Sequence, residues 1–277
     1  MAGLKATLAC PCADRFQVPA FSYTAPPAGE AAFALSGEYR RHYRRCTLCR
    51  HWFGHHEMDL AALYSGAYLD ATYGDGMRES FARIMALPPE RSDNMGRVAA
   101  VCAFAERRFA GGDAPPRLLD VGAGLGVFAA RMNEAGWNCT ALDPDARAAA
   151  HAREVIGIAA IAGAFASVAV EHLDPFDLVS FNKVLEHVED PVAMLAASRR
   201  LLSQRGFVYL EVPDAEAASA CGPGREEFFI EHHHVFSAAS TDLLAARAGF
   251  ATSALERLRE PSGKFTLRAF LEPLPAP

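Results

Sequence analysis

Arg117-Leu118-Leu119-Asp120-Val121-Gly122-Ala123-Gly124-Leu125-Gly126-Val127-Phe128 is the stretch on which the fold turns. The apolar residues around Asp120 read as a strand buried on both faces, as a central parallel strand must be. Gly122, Gly124 and Gly126 follow at alternate positions, and an apolar helix start follows them. Such a turn lets the backbone come close to a ligand, and the helix beyond it presents free N–H groups.

Working outward, strand and helix alternate from Pro115 to the end of the chain. Strands are predicted over 118–121, 139–142, 158–161, 176–181 and 206–212. Helices are predicted over 128–135, 146–155, 192–202 and 241–248, and 254–258 with 264–271 makes a closing pair of strands. This order specifies an α/β fold: a doubly wound, mostly parallel, seven-stranded sheet of Rossmann-like type with helices on both faces. The domain is expected to span residues 114–277.

Upstream, residues 57–113 read as a helical connecting region. Residues 58–64 and 94–109 have helical spacing, the second ending at Gly111-Gly112. Tyr68 and Tyr73 are candidates to line a pocket over the following domain. Residues 1–56 read as a separate small module resembling a zinc ribbon. Cys10-Pro11-Cys12 and Cys46-Thr47-Leu48-Cys49 supply two close pairs of thiols, and four thiolates satisfy tetrahedral Zn2+. Two reduced pairs without metal are the alternative reading. Cys102, Cys139 and Cys221 stand singly and read as packing residues. Arg40, Arg41, Arg44, Arg45 and Arg50 surround the second pair, with Tyr39, Tyr43, Trp52 and Phe53 among them. They read either as a phosphate or RNA contact surface or as a solvated strand face.

The composition bounds the rest. A chain of 277 residues, 51% hydrophobic and 22% charged, has room for one large globular domain and a small module. A net charge of −6 gives no general attraction to nucleic acid or an anionic membrane. No apolar run is long enough to cross a membrane. Met1 to Ala9 is too short for a signal peptide, so a cytoplasmic protein with reduced thiols is expected.

The spacing of the glycines limits the ligand. A dinucleotide fingerprint requires a third glycine at position 127, where this chain has Val, and no Lys-Ser/Thr follows to make a Walker loop. Asp143 ends the second strand, where a carboxylate can accept both hydroxyls of a ribose. On these residues, Leu118 to Gly126 resembles the first motif of the class I S-adenosylmethionine-dependent methyltransferases. Asp143 matches their ribose-binding acid, Phe176 to Val188 their fourth motif, and Gly206 to Pro213 their fifth strand. The resemblance covers about residues 115–271. It implies S-adenosylmethionine as cofactor, held by Asp120, Gly122, Gly124, Gly126, Asp143 and Asn182. The chain departs from the family at Gly163-Ala164-Phe165, where an acid often holds the adenine amino group. Phe165 stacking is expected in its place.

Two segments bear on the methyl acceptor. Asn182, Glu186 and His187 follow the fourth strand at the carboxyl edge of the sheet, where ligands bind. His187 is either a general base or a pocket-lining cap. Glu226 to Ser237 lies between the fifth strand and the last long helix. Within it Phe229-Ile230-Glu231-His232 resembles the aromatic-x-Glu-His segment of sugar C-methyltransferases that carry an N-terminal four-cysteine zinc module. Phe229 stands where those enzymes have Tyr, and their extra C-terminal domain is not expected here. The resemblance implies His232 as base, with Glu231 behind it and His187 as the second candidate. The expected reaction is methyl transfer to oxygen or carbon of a small sugar-type or secondary-metabolite acceptor. An RNA-base methyltransferase and a non-catalytic cofactor-binding module are the alternatives. The absence of Asn-Pro-Pro-Tyr, the mark of amino-group methylation, and the net charge weigh against RNA.

Overall fold

The structure, a computed structural model, describes residues 16–30, 38–56, 58, 76–109, 114–167 and 173–275. Seven strands form the main sheet: β4 (Arg117–Val121), β5 (Asn138–Asp143), β6 (Ala159–Ala162), β7 (Phe176–Asn182), β8 (Leu202–Pro213), β10 (Phe250–Arg259) and β11 (Phe265–Pro273). Their spatial order is β10-β11-β8-β7-β4-β5-β6. The β6-β5-β4-β7-β8 part is parallel, and β11 runs antiparallel between β8 and β10. This is the doubly wound sheet expected from the alternation.

The central strands are apolar on both faces because helices cover both. Leu119, Val121, Val179, Phe181, Val208 and Leu210 pack with Leu195 of α5 (Pro191–Ser198) and Leu244 of α7 (Ala238–Arg247). Leu118, Leu178, Phe207 and Tyr209 face Val101 and Phe104 of α2 (Asp93–Phe109) and Phe128 and Met132 of α3 (Val127–Glu134). Phe104 stacks on Phe270 of β11 at 4.4 Å between ring centroids, so α2 is a full member of this layer. Two predicted helices are cut short. α4 (Ala146–His151) passes into a π turn over Ala152–Ile156 that ends at Gly157, and α5 gives way to a 3-10 turn before β8 begins at Leu202. β8 starts early because Leu202 pairs with Phe176, and the residues between Leu202 and Phe207 bulge out of β8 before regular pairing with Leu178 begins. A shorter helix, α1 (Met77–Met85), precedes α2. The expected helix at 58–64 and Tyr68 and Tyr73 lie outside the described residues. No helix among the described residues is long and apolar enough to cross a membrane.

The N-terminal residues form a small antiparallel sheet of β1 (Gln17–Tyr23), β2 (Arg41–Cys46) and β3 (Trp52–His56). Its fourth strand is β9 (His234–Val235), supplied by the segment after β8. Tyr23, Tyr43 and Trp52 pack against Phe228, Val235 and two alanines of α6 (Ala215–Ser219). Gly54 donates to the His233 carbonyl at 2.8 Å, and a Cβ on it would stand 2.7 Å from the His232 carbonyl oxygen, so only glycine fits there. Cys46 and Cys49 are buried on the turn joining β2 to β3. Cys10 and Cys12 lie outside the described residues, so the four-cysteine arrangement of a zinc ribbon is not visible.

Arg41 is not part of a solvated face. Its side chain is 3% exposed, pairs with Glu30 at 2.9 Å, donates to the Phe228 carbonyl and covers the Tyr23 ring. Glu30 also accepts from the Ile230 amide at 2.8 Å. This pair therefore ties the small sheet to residues 228–230 and takes one arginine out of any RNA surface. Replacing Arg41 by Met strands the buried Glu30 carboxylate. The expected loss is about 3–5 kcal/mol of stability, read from the urea midpoint.

A histidine chain makes a second tie. His51 Nδ1 lies 3.1 Å from Ser240 Oγ, His51 Nε2 lies 3.0 Å from His234 Nδ1, and His234 Nε2 donates to the Glu189 carbonyl at 3.4 Å. Burial lowers the pKa of both imidazoles, that of His234 from 6.5 to about 4. The unfolded chain therefore takes up protons, which the folded chain refuses, between the two values. This contribution to stability is complete above pH 6.5 and is lost as the pH falls towards 4. His234→Asn keeps a polar atom at the Nδ1 position and cannot titrate. Across that window its stability is expected to fall less steeply than the wild type's, by on the order of 3 kcal/mol.

Candidate active site

The carboxyl ends of β4, β5 and β7 open into one cleft of about 1130 Å³. Asp120, Gly122, Gly124, Gly126, Asp143, Phe165 and Asn182 all line it. The glycine turn is left-handed at each glycine, with φ of 67°, 54° and 69°. A Cβ on Gly122 would meet Val184 Cγ2 at 2.7 Å and one on Gly126 would collide with Ile156 Cδ1, whereas nothing among the described residues beyond its chain neighbours lies within 4 Å of one on Gly124. Gly122 and Gly126 are thus required by packing, and Gly124 faces the open cleft.

Asp143 is held by the glycine turn after β4 and by the turn that follows it. Its Oδ2 accepts from the Gly124 amide at 2.8 Å and its Oδ1 from the Asp145 amide at 2.9 Å. Burial raises its pKa, against these amides. Each oxygen keeps a lone pair for a further donor. Asp120 accepts from Ser180 Oγ at 2.6 Å and Asn182 Nδ2 at 3.2 Å, and burial pushes its pKa up to about 6. Asn182 Oδ1 is buried without a hydrogen-bond partner among the described residues. Phe165 is packed edge-on against Phe181 at 5.8 Å and shows only its margin to the cleft.

The cleft also has a set of polar residues outside the glycine turn: Asn94, Arg97, Lys183, His187, Ser262 and Lys264. Arg97 is steered by Glu211, which is wholly buried and receives Arg97 Nε at 2.7 Å, Arg268 at 3.2 Å and the Tyr209 hydroxyl at 2.6 Å. Burial alone would raise the pKa of Glu211, but Arg97, Lys183 and Arg268 hold it down to about 2. Lys183 follows β7 with a left-handed φ of 59° and donates through Nζ to Thr266 at 2.6 Å. Sequence reading missed Arg97 and Lys183. Lys183 carried a signal, being the next residue after Asn182 at the carboxyl edge of the sheet. Arg97 carried none, because its role depends on the distant Glu211.

His187, Glu231 and His232 come together, but not as the pairing read from the sequence. Of the three, only His187 lines the cleft. Its Nδ1 donates to the Glu231 carbonyl at 3.0 Å, and the Nδ1 of His232 donates to the Glu227 carbonyl at 2.9 Å. The two rings lie 4.8 Å apart, edge to face. The carboxylate acting on His232 is Glu186 and that acting on His187 is Glu231, with Lys183 opposing both. The loop turns between Glu231 and His232, so their side chains address different neighbours. Burial lowers both imidazole pKa values, that of His232 to about 4, and raises those of Glu186 and Glu231. Glu186 and His187 lie on a 3-10 turn over Leu185–His187, directly after β7.

Residues 95–255, more than half of the chain, match the profile of a family described as a methyltransferase domain. The chain is 33% identical over 121 residues to the ubiquinone biosynthesis O-methyltransferase of Cronobacter sakazakii, which covers 42% of this chain and 49% of that enzyme. It is 34% identical over 106 residues to the enzyme of the same name from Xanthomonas oryzae, covering 34% and 41%. The chain spans about half the length of the curated relatives it matches. Among solved structures it is similar to the 1,6-didemethyltoxoflavin N1-methyltransferase of Burkholderia thailandensis with bound 1,6-didemethyltoxoflavin and S-adenosylhomocysteine. That likeness has a TM-score of 0.54 at 22% identity over 82% of this chain and 96% of the other. The magnesium protoporphyrin IX methyltransferase of Synechocystis, with bound S-adenosylhomocysteine, gives a TM-score of 0.56 at 16% identity over 76% and 99%. At these identities the structural likeness is one of fold.

Proposed function

This chain belongs to the methyltransferase-domain family, and on that premise we propose that it transfers the methyl group of S-adenosylmethionine to a hydroxyl oxygen of a small polar acceptor of sugar or secondary-metabolite type. One observation carries the reading: the glycine turn with Asp143 and a polar set that includes Lys183 and His187 line a single cleft. The names of the curated relatives support oxygen as the acceptor atom. The polar lining from Asn94 to Lys264 suits a hydroxylated acceptor.

When bound, S-adenosylmethionine supplies a methyl carbon on a positively charged sulfur. The chain's own residues bind and align. Asp143, pinned by two amides, presents acceptor lone pairs suited to ribose hydroxyls. Gly124 admits the close approach, and Asn182 Oδ1 offers an unpartnered acceptor atom suited to the ammonium of a methionine tail. His187, with Glu186 and His232 behind it, is placed to activate the acceptor hydroxyl. The test is incubation of the full chain with methyl-labelled S-adenosylmethionine and a panel of hydroxylated small molecules. S-adenosylhomocysteine and an O-methylated product are expected. Label found on RNA, or on nitrogen alone, overturns the reading.

Cys46 and Cys49 fit half of a structural zinc site, with Cys10 and Cys12 as its proposed other half. The Leu48 amide lies 3.4 Å from Cys46 Sγ, Arg50 donates to the Cys46 carbonyl at 3.1 Å, and Arg50 is left-handed at φ 61°. A turn that aims an amide at a buried sulfur is suited to a thiolate ligand. The expected result is the loss of one equivalent of zinc in Cys46→Ser relative to the wild type, together with a large fall in melting temperature.

A further inference from the structure

We propose that Glu186, His187 and His232 together hold a divalent transition-metal ion beside the cleft. The existence of this site stands on the geometry below. Its role, to bind and polarise the acceptor oxygen, rests on the methyl-transfer reading above.

One ligand atom from each of the three residues lies within 4.8 Å of the other two. An ion equidistant from three atoms that far apart sits about 2.8 Å from each. Side-chain movements of about 0.7 Å bring that to the 2.0–2.2 Å of metal–nitrogen and metal–oxygen bonds. The imidazoles are already set for the task. A carbonyl oxygen only accepts, so Nδ1 of His187 and Nδ1 of His232 both carry the proton they donate to the Glu231 and Glu227 carbonyls. The lone pair is then on Nε2 in both rings. A metal-binding histidine is typically fixed in this way, by a carbonyl on its other nitrogen.

Glu186 supplies an independent sign. The residue is 1% exposed, and its Oε2 is buried without a hydrogen-bond partner among the described residues. A buried carboxylate oxygen left without a donor costs free energy that a bound cation removes. Three further charges act on the cluster: Lys183, Lys264 and Glu231. Lys264 opposes a cation from outside, and its ammonium is paired with Glu226 at 3.5 Å. Lys183 opposes a cation, but its ammonium is drawn to Thr266 Oγ1 at 2.6 Å and lies in the field of Glu211. Glu231, which acts on His187, adds a second negative charge. Two imidazoles and one carboxylate suit manganese, iron, cobalt or zinc better than magnesium or calcium, and leave coordination positions open. His187 is the member that lines the cleft, so those positions are reached from its side by an oxygen of the acceptor. An acceptor with two neighbouring oxygens would chelate the ion and be favoured over one with a single hydroxyl.

The test is titration of the chelator-stripped full chain with Co2+, followed by absorption. Cobalt on the thiols gives an intense sulfur-to-metal charge-transfer band. Cobalt on Glu186, His187 and His232 gives weak d–d bands without it. The wild type is expected to show the second signal, and Glu186→Gln and His232→Ala to lose it while keeping their affinity for S-adenosylmethionine by calorimetry. Where either variant fails to fold, Glu186→Asp decides: it withdraws the carboxylate without removing it and is expected to weaken cobalt binding at least about tenfold. Absence of the second signal in the wild type, or its persistence unchanged in the folded variants, overturns the site. Cobalt binding with metal-independent methyl transfer removes the role and leaves the site. Turnover lost in His187→Ala with no cobalt bound at the cluster overturns the metal and leaves the methyl-transfer reading.

Discussion

Gly124→Val abolishes S-adenosylmethionine binding: calorimetry detects no heat at concentrations that saturate the wild type, while unfolding stays cooperative. Gly124 has φ 54°, and a β-branched residue held there carries strain of about 1–3 kcal/mol. At 1.4 kcal/mol for each tenfold, strain by itself weakens binding by about one to two orders of magnitude if it falls on the bound conformation. The larger effect is steric. Among the described residues, no atom beyond its chain neighbours lies within 4 Å of a Cβ built at Gly124, which lines the cleft. The isopropyl group takes the place where a ligand meets the backbone. It also tilts the amide that donates to Asp143 Oδ2 at 2.8 Å, so the ribose-side carboxylate is displaced with it. Gly122 and Gly126 are less clean tests, since side chains there collide with Val184 and Ile156 and disturb the core. Unchanged affinity in Gly124→Val would overturn the assignment of the cofactor to this turn.

His187→Ala is expected to lower kcat by about 10²–10⁴-fold with the affinity for S-adenosylmethionine unchanged. His187 is the one imidazole of the Glu186–His187–His232 cluster that lines the cleft, and it takes no part in the hydrogen bonds that hold Asp143. Removing it takes away Nε2 and leaves the cofactor residues in place. The pH profile separates this role from a structural one. Burial holds the His187 pKa below 6.5. The group is therefore in its neutral, electron-donating form at pH 7, and wild-type turnover falls only as the pH drops below 6.5 and the imidazole is protonated. His187→Ala loses that acid limb along with the rate. A variant with normal kcat, or one that keeps the limb, places the activating group elsewhere.

The cofactor half of the cleft was readable from local patterns. A buried parallel strand must be apolar in succession, and a backbone turning with positive φ at three alternate positions needs glycine. Asp120 to Gly126 therefore shows both its structure and its ligand in one stretch. Asp143 was readable for a similar reason, since it ends a strand whose edge is known from the sheet order. The acceptor half was readable only as a set of residue types. His232 and Glu231 are adjacent in the chain, and adjacency suggested a carboxylate–imidazole pair. In an irregular loop, however, neighbouring side chains have no period that fixes where they point. The arginine run shows the same limit. Arg41 and Arg40 are alike in sequence, yet one is 3% exposed against Glu30 and the other is 73% exposed beside Glu38.

The sequence by itself determined the seven-stranded doubly wound sheet, the place of the glycine turn and the acid at the end of the second strand. Hydrophobic periodicity and glycine backbone freedom act over a few residues and leave their mark there. Tertiary structure alone decided that His187 rather than His232 faces the cleft, that Glu186 joins them, and that residues 234–235 complete the N-terminal sheet. Those outcomes depend on contacts such as Glu30 with Ile230, Gly54 with His233 and Tyr43 with His232, between segments nearly two hundred residues apart. The energy that orients the acceptor-side loop comes from the packing of a distant sheet against it, and no short stretch of the chain carries that information.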